Sequence, residues 1–274
     1  MHCSDRERSA DVVTEILLMT DMIHTERDGA VASVILNRPD KLNALETPDW
    51  RRIGDVMHEL DSDDSLRCVV MRGVDTRAFS AGSDIGDLKA NRSTPSQVRD
   101  YAKMLATSLG AISGCRHPVI AAINGACVGG GMEISSACDI RLCGESSRFG
   151  APINKLGLTM SYAELEPLIA IVGGARLLGM LLTGEIIDAQ RAYEIGFVNR
   201  IVPDESCIDE AYALARSIAE RAPLVNRLHK KFIRRMARPE PFSDAEIEEC
   251  YAAFDTEDYR IGYEAFLAKR KPEF

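Results

Sequence analysis

The chain has 274 residues, 46% of them hydrophobic and 27% charged, with a formal net charge of -9. That length suits one large domain, or a core with a smaller appendage, and the acidic balance argues against a broad nucleic-acid-binding face. No apolar run approaches the roughly 20 residues that cross a bilayer, so neither a nucleic acid nor a membrane is expected as partner.

The N-terminal stretch MHCSDRERSADVV mixes acids and bases and shows no apolar run followed by a cleavage site. A cytoplasmic location is therefore the expectation. Residues 1–18 read as a poorly specified lead-in. The eight cysteines form no CxxC, and no histidine stands at a metal-ligand spacing from them. Reduced and mostly buried thiols, with no metal, are expected.

Residues 20–39, TDMIHTERDGAVASVILNRP, read as two strands around a turn at Asp28-Gly29. Residues 46–60 suit a helix, with Thr47 as N-cap and Pro48 in the first turn. LRCVVMRG (66–73) is a short apolar run of the kind buried on both faces. From Pro95 to Cys115, Val98, Tyr101, Leu105, Leu109 and Ile112 share one helical stripe. PVIAAIN (118–124) and DIRLC (139–143) are further strands, separated by a short helix over 132–138. Helices then dominate, over 163–172, 174–182, 188–195, 205–221, 223–237 and 243–269 with a break; VNRIVP (198–203) is the one late strand expected. This alternation predicts an α/β core with a largely parallel sheet. VVMRGVDTRAFSAG and VIAAINGACVGGG both run from a buried strand into a Gly-containing loop, a weak internal repeat.

Two loops carry the chemistry. In GACVGGGMEISSACDI (125–140), Gly129, Gly130 and Gly131 lead into a helix with Glu133 one turn in. Unpaired N–H groups at a helix start favour negative charge, and glycine lets a ligand approach the backbone closely; tight strand–helix packing would account for the same glycines. The spacing is neither GxGxxG nor a GK[ST] phosphate loop. In RAFSAGSDIGDL (77–88), Ser80, Ala81, Gly82 and Ser83 again expose backbone amides. Two amides converging from separate loops would form an oxyanion hole. A serine nucleophile at Ser80 or Ser83 has no GxSxG and no predictable histidine partner. His117, at a helix–strand junction, reads as structural.

LNRPDKLNALE (36–46), AFSAGSDI (78–85), PVIAAINGACVGGGMEISSACDIRLC (118–143), FGAPINKLGL (149–158) and LTGEIIDAQRAYEIGFVNRIVP (182–203) stand in the order and spacing of the enoyl-CoA hydratase/isomerase, or crotonase, family, which the chain resembles from about residue 20 onward. The resemblance implies a spiral core of ββα units over residues 1–203 and a helical, trimerising C-terminal region over 204–274. It also implies an acyl-CoA thioester substrate, homotrimers or hexamers, and no cofactor apart from the coenzyme A of the substrate. Carried onto this chain, it implies backbone amides of Ala81 and Gly130 as the oxyanion hole and Glu133 as catalytic acid/base. It implies a CoA cleft lined by Lys41, Leu42 and Ala44 and by Ala81, Gly82, Ser83, Asp84 and Ile85, with Gly129 and Gly130. Lys230 or Lys231 would reach a phosphate, and Asp84 reads as a loop hydrogen-bonding residue.

The family's second glutamate is replaced by Ile153, which transfers no proton. Tyr162, Glu164 and Glu166 are the nearby substitutes, Glu164 best placed in sequence; Asn154 would bond substrate or cap a turn. Hydration or dehydration of an enoyl-CoA is the chemistry the resemblance implies, and the replacement at Ile153 is what opens the other reactions. Isomerisation, decarboxylation, hydrolysis and acyl-CoA binding without catalysis remain the alternatives. The helices over 98–112 and 243–269 are expected to shape the acyl pocket.

Overall fold

The computed structural model describes residues 21–274; the lead-in, with Cys3, lies outside them. Strands β1 (Ile23–Asp28) and β2 (Val31–Leu36) form the antiparallel pair around Gly29. Helix α1 (Thr47–Ser62) is capped one residue earlier than expected. Glu46 is its N-cap, and the Asp49 carboxylate accepts the Glu46 amide at 2.7 Å. The Thr47 hydroxyl is instead bonded to buried Asp87 at 2.7 Å.

Three units follow, each a strand, a short strand and helix. The first is β3 (Cys68–Gly73), β4 (Ala78–Ser80), α2 (Ile85–Asn91) and α3 (Pro95–Gly114). The second is β5 (Val119–Ile123), β6 (Ala126–Val128) and α4 (Gly130–Ala137). The third is β7 (Ile140–Gly144), β8 (Arg148–Gly150), α5 (Tyr162–Val172) and α6 (Gly174–Thr183). Strand β9 (Ile187–Asp188), a late strand not expected from sequence, precedes α7 (Ala189–Glu194) and β10 (Arg200–Val202). The chain ends in α8 (Cys207–Ala219), α9 (Pro223–Arg235), α10 (Asp244–Glu249) and α11 (Glu257–Leu267).

The units wind as a spiral. Their first strands join one sheet of order β1-β2-β3-β5-β7-β10, and their second strands a sheet of order β4-β6-β8-β9. From β2 to β10 the larger sheet is parallel. Side chains alternate across it. Val69, Met71, Ala121 and Ile123 pack in the core with Trp50, Ile53 and Val56 of α1 and Leu105, Leu109 and Ile112 of α3. Cys68, Val70, Ile120 and Ala122 pack with Ala211 and Ala215 of α8. Helix α8 thus closes the second face of the sheet, although it follows residue 203. Six of the seven described cysteines are buried and Cys250 is exposed; burial pushes the thiols of Cys127 and Cys138 up to about 12.

Candidate active site

Strands β4 and β6 are parallel neighbours, so the loops that leave their C-terminal ends emerge side by side. That is the general reason ligands sit at such strand ends. The two loops touch through glycines. Gly82 has φ +95, and a Cβ there would lie 2.8 Å from the Val128 carbonyl oxygen and 3.1 Å from the Gly130 nitrogen. Gly129, with φ +52, turns β6 into α4. A Cβ on Gly130 would meet the Trp50 ring at 2.8 Å, and one on Gly131 the Ser80 carbonyl oxygen at 2.4 Å. The glycine run therefore serves close packing and an open helix start at once.

The 36–46 motif is the scaffold of this site. Asn43 is fully buried; its side-chain amide donates to the Ala78 carbonyl at 2.8 Å and its oxygen accepts the Arg38 amide at 2.9 Å. The Ser80 hydroxyl donates to the Asn43 carbonyl at 2.8 Å and accepts the Gly82 amide at 3.1 Å. The Arg38 guanidinium donates to the Ala44 carbonyl at 2.9 Å and pairs with Asp49 at 3.3 Å.

This scaffold corrects the oxyanion assignment. The Ala81 amide donates to the Leu42 carbonyl at 2.8 Å, so it is not available to a ligand. Two residues on, the Ser83 amide has no acceptor among the described residues. The Gly130 amide is the first of α4 and has no intrahelical acceptor either. Ser83 and Gly130 both line a cavity of about 700 Å³, together with Ala81, Gly82, Gly129 and Ile85.

Glu133 and Glu164 line the same cavity. Glu133, one turn into α4, is buried. Its carboxyl is raised from 4.5 to about 8, first by burial and then by the negative charge of Glu164, with Arg92 opposing both. Glu164 accepts the Ser161 amide at 2.6 Å in the capping box of α5, which fixes the carboxylate at the cavity wall. Ile153 also lines the cavity, as an apolar wall.

Other expected residues lie elsewhere. Tyr162 is 92% exposed and outside the cavity lining, because the helical phase that turns Glu164 inward turns Tyr162 to solvent; Glu166 is likewise exposed. The Asn154 side-chain amide donates to the Leu182 carbonyl at 3.0 Å, holding a turn against α6. The Lys230 ammonium is buried, 2.7 Å from Asp139 and 2.8 Å from the His117 carbonyl, and lies outside the cavity lining. Lys231 pairs with Glu249 on the surface. Lys41, Leu42 and Ala44 lie outside the cavity lining. Asp84 caps α2 by accepting the Gly86 amide at 2.8 Å, and pairs with Lys41 at 2.7 Å. Its hydrogen bond with that ammonium holds the carboxyl below its usual range. Val98, Tyr101 and Ala102 of α3 line the cavity, whereas no residue from 243–269 does.

Arg92 was not foreseen. It follows α2 in a polar stretch, NRSTPS, that reads as an ordinary loop. Its guanidinium carbon lies 3.3 Å from the centre of the Tyr101 ring, and its Nη2 donates to Ser83 Oγ at 3.0 Å. Burial raises the Tyr101 phenol to about 12, so it stays neutral.

Two open amides and two carboxylates around one apolar-walled cavity are suited to chemistry beside a polarised carbonyl. The chain matches the enoyl-CoA hydratase/isomerase family model over residues 26–274. It is 32% identical over 257 residues to a probable enoyl-CoA hydratase of Mycobacterium bovis, covering 93% of this chain and 98% of that protein. It is also 32% identical over 253 residues to a short-chain-enoyl-CoA hydratase of Clostridium acetobutylicum, covering 90% and 95%. A solved structure of an enoyl-CoA hydratase/carnithine racemase from Magnetospirillum magneticum matches with a TM-score of 0.91 and 45% identity, over 93% of this chain and 96% of that one. By its spiral of ββα units and these matches, the chain belongs to the enoyl-CoA hydratase/isomerase family.

Proposed function

We propose that the protein hydrates a 2-enoyl-CoA thioester and catalyses the reverse dehydration. The observation that carries this reading is that Glu133 and Glu164, from α4 and α5, share one cavity with Ser83 and Gly130. The thioester oxygen would accept hydrogen bonds from the Ser83 and Gly130 amides. Each such donor is worth about 3 kcal/mol as charge develops on oxygen. One carboxylate takes a proton from water, whose oxygen adds to Cβ. The C=C electron pair moves to form the enolate, and the other carboxyl group delivers a proton to Cα. In this reading Glu164 supplies from α5 the second group that Ile153 cannot.

The capping bond from the Ser161 amide to Glu164 favours a second reading within the family, isomerisation, in which Glu133 alone moves a proton between two carbons. Incubation with crotonyl-CoA and with 3-hexenoyl-CoA separates the two. Loss of enone absorbance from the first supports hydration; formation of enone from the second, without hydration, supports isomerisation. Binding of both without turnover would support an acyl-CoA binder instead. We further infer a trimer or dimer of trimers, consistent with exposed Leu182 and Phe266 at 70% and 81% exposure; sedimentation tests it.

A further inference from the structure

Lys89 and Arg92 are charged groups of the cavity that the proposed hydration does not use, and of the two Arg92 is the one held in place by neighbouring groups. It forms no ion pair with any described residue, although it shares the cavity with Glu133 and Glu164. Its Nε is buried and has no hydrogen-bond partner. The rest of the guanidinium is positioned on both sides, by the Tyr101 ring at 3.3 Å and by Ser83 Oγ at 3.0 Å. A guanidinium N–H buried without a partner is costly, and a bound anion would offset that cost through the charge of the whole group. A planar guanidinium held by ring stacking is suited to carboxylate recognition through paired donors.

From this geometry we infer that Arg92 selects acyl-CoA substrates whose acyl group carries a carboxylate. The bond to Ser83 locates that carboxylate. Ser83 supplies an amide to the proposed oxyanion hole, so the carboxylate lies a few bonds from the thioester carbonyl rather than at the end of a long chain. The apolar groups nearby, Leu88, Val98, Ile153 and Leu158, would hold the connecting carbons. The preferred class is a short dicarboxylic monothioester, unsaturated next to the thioester where hydration is to occur. The inference rests on the acyl-CoA reading of the site, and its test separates the two.

Glutaconyl-CoA is compared with 5-methylhex-2-enoyl-CoA, which replaces the carboxylate by an isopropyl group of similar shape. Their saturated counterparts, glutaryl-CoA and 5-methylhexanoyl-CoA, are titrated calorimetrically, which measures preference without turnover. Wild-type protein is expected to prefer the carboxylated member of each pair by at least about tenfold. The Arg92→Met variant is expected to lose about 10²-fold in the ratio of the two kcat/KM values or affinities, and Arg92→Lys to recover part of it. A ratio that Arg92→Met leaves unmoved, or a wild-type preference for the isopropyl compounds, overturns the carboxylate inference while leaving the acyl-CoA reading intact. A carboxylate preference in binding without turnover of either enoyl compound supports the inference and counts against hydration. Failure of all four thioesters to bind overturns both.

Discussion

The amide of Ala81 and the carbonyl of Leu42 are joined by a 2.8 Å hydrogen bond. That bond leaves the Ser83 amide, rather than that of Ala81, for the proposed oxyanion hole. Replacing a single peptide N–H by an ester oxygen, through incorporation of an α-hydroxy acid, tests the choice directly. At Ser83 the ester is expected to lower kcat by about 10²–10³ with little change in melting temperature. At Ala81 it is expected to lower the melting temperature, through loss of the Leu42 bond, by the equivalent of about 1 kcal/mol. Reversal of the two phenotypes would return the role to Ala81.

Glu133 and Glu164 act as a pair in the proposed reaction. Glu133→Gln and Glu164→Gln are each expected to reduce kcat for enoyl-CoA hydration by at least about 10², with affinity for a saturated thioester largely retained. Tyr162→Phe and Glu166→Gln change exposed side chains outside the cavity, and should leave the rate near wild type. A full hydration rate in Glu164→Gln, beside a lost rate in Glu133→Gln, would remove Glu164 from the reaction and leave Glu133 as its one carboxylate.

The difference between what was and was not legible in the sequence follows from the range of the interactions. Val69, Val70, Ile120 and Ala121 form runs that announce buried strands, and the larger sheet follows from them. Strands β4, β6 and β8 have three residues each, too few to show any period, so the second sheet was invisible. The loop of the proposed oxyanion hole was legible, but not that its Ala81 amide is already bonded, because the acceptor stands 39 positions earlier, in a turn where Leu42 and Asn43 take positive φ. Glu164 could be ranked ahead of Tyr162 and Glu166 from the sequence, but its place at the cavity wall needed the phase of α5, set by the Ser161 cap. Lys230 sits in a basic run that reads as a phosphate contact; its partner Asp139 lies on a distant segment. Arg92 offered no signal at all, since its role comes from Tyr101 and Ser83.

The protonation of Glu133 sets a pH dependence of stability. Its carboxyl is raised in the folded state by burial and then by the charge of Glu164, from 4.5 to about 8. Between those values the folded protein keeps a proton that the unfolded chain has lost. The native state then binds more protons, so this group's contribution to stability is full below the unfolded value and is lost as pH rises through the folded one. Urea unfolding across that window should show a fall in midpoint with pH that is smaller in Glu133→Gln, which has no such proton. Identical pH profiles for the two proteins would mean that Glu133 is ionised in the fold.

Lys230 offers the complementary case, a cation that looked like a ligand contact and is held inside the fold. Its ammonium bonds to Asp139 at 2.7 Å and to the His117 carbonyl at 2.8 Å, and Arg234 contacts the other Asp139 oxygen at 2.7 Å. Asp139 also accepts the Val119 amide at 2.8 Å, so the cluster ties α9 to the start of β5. Lys230→Met removes one partner and leaves the Asp139 charge and the His117 carbonyl less well matched. Breaking a largely buried pair in this way costs about 3 kcal/mol. The variant should therefore melt lower, while its KM for a CoA thioester, and the salt dependence of that KM, stay as in the wild type. A raised KM with an unchanged melting temperature would instead put Lys230 on the substrate's phosphates.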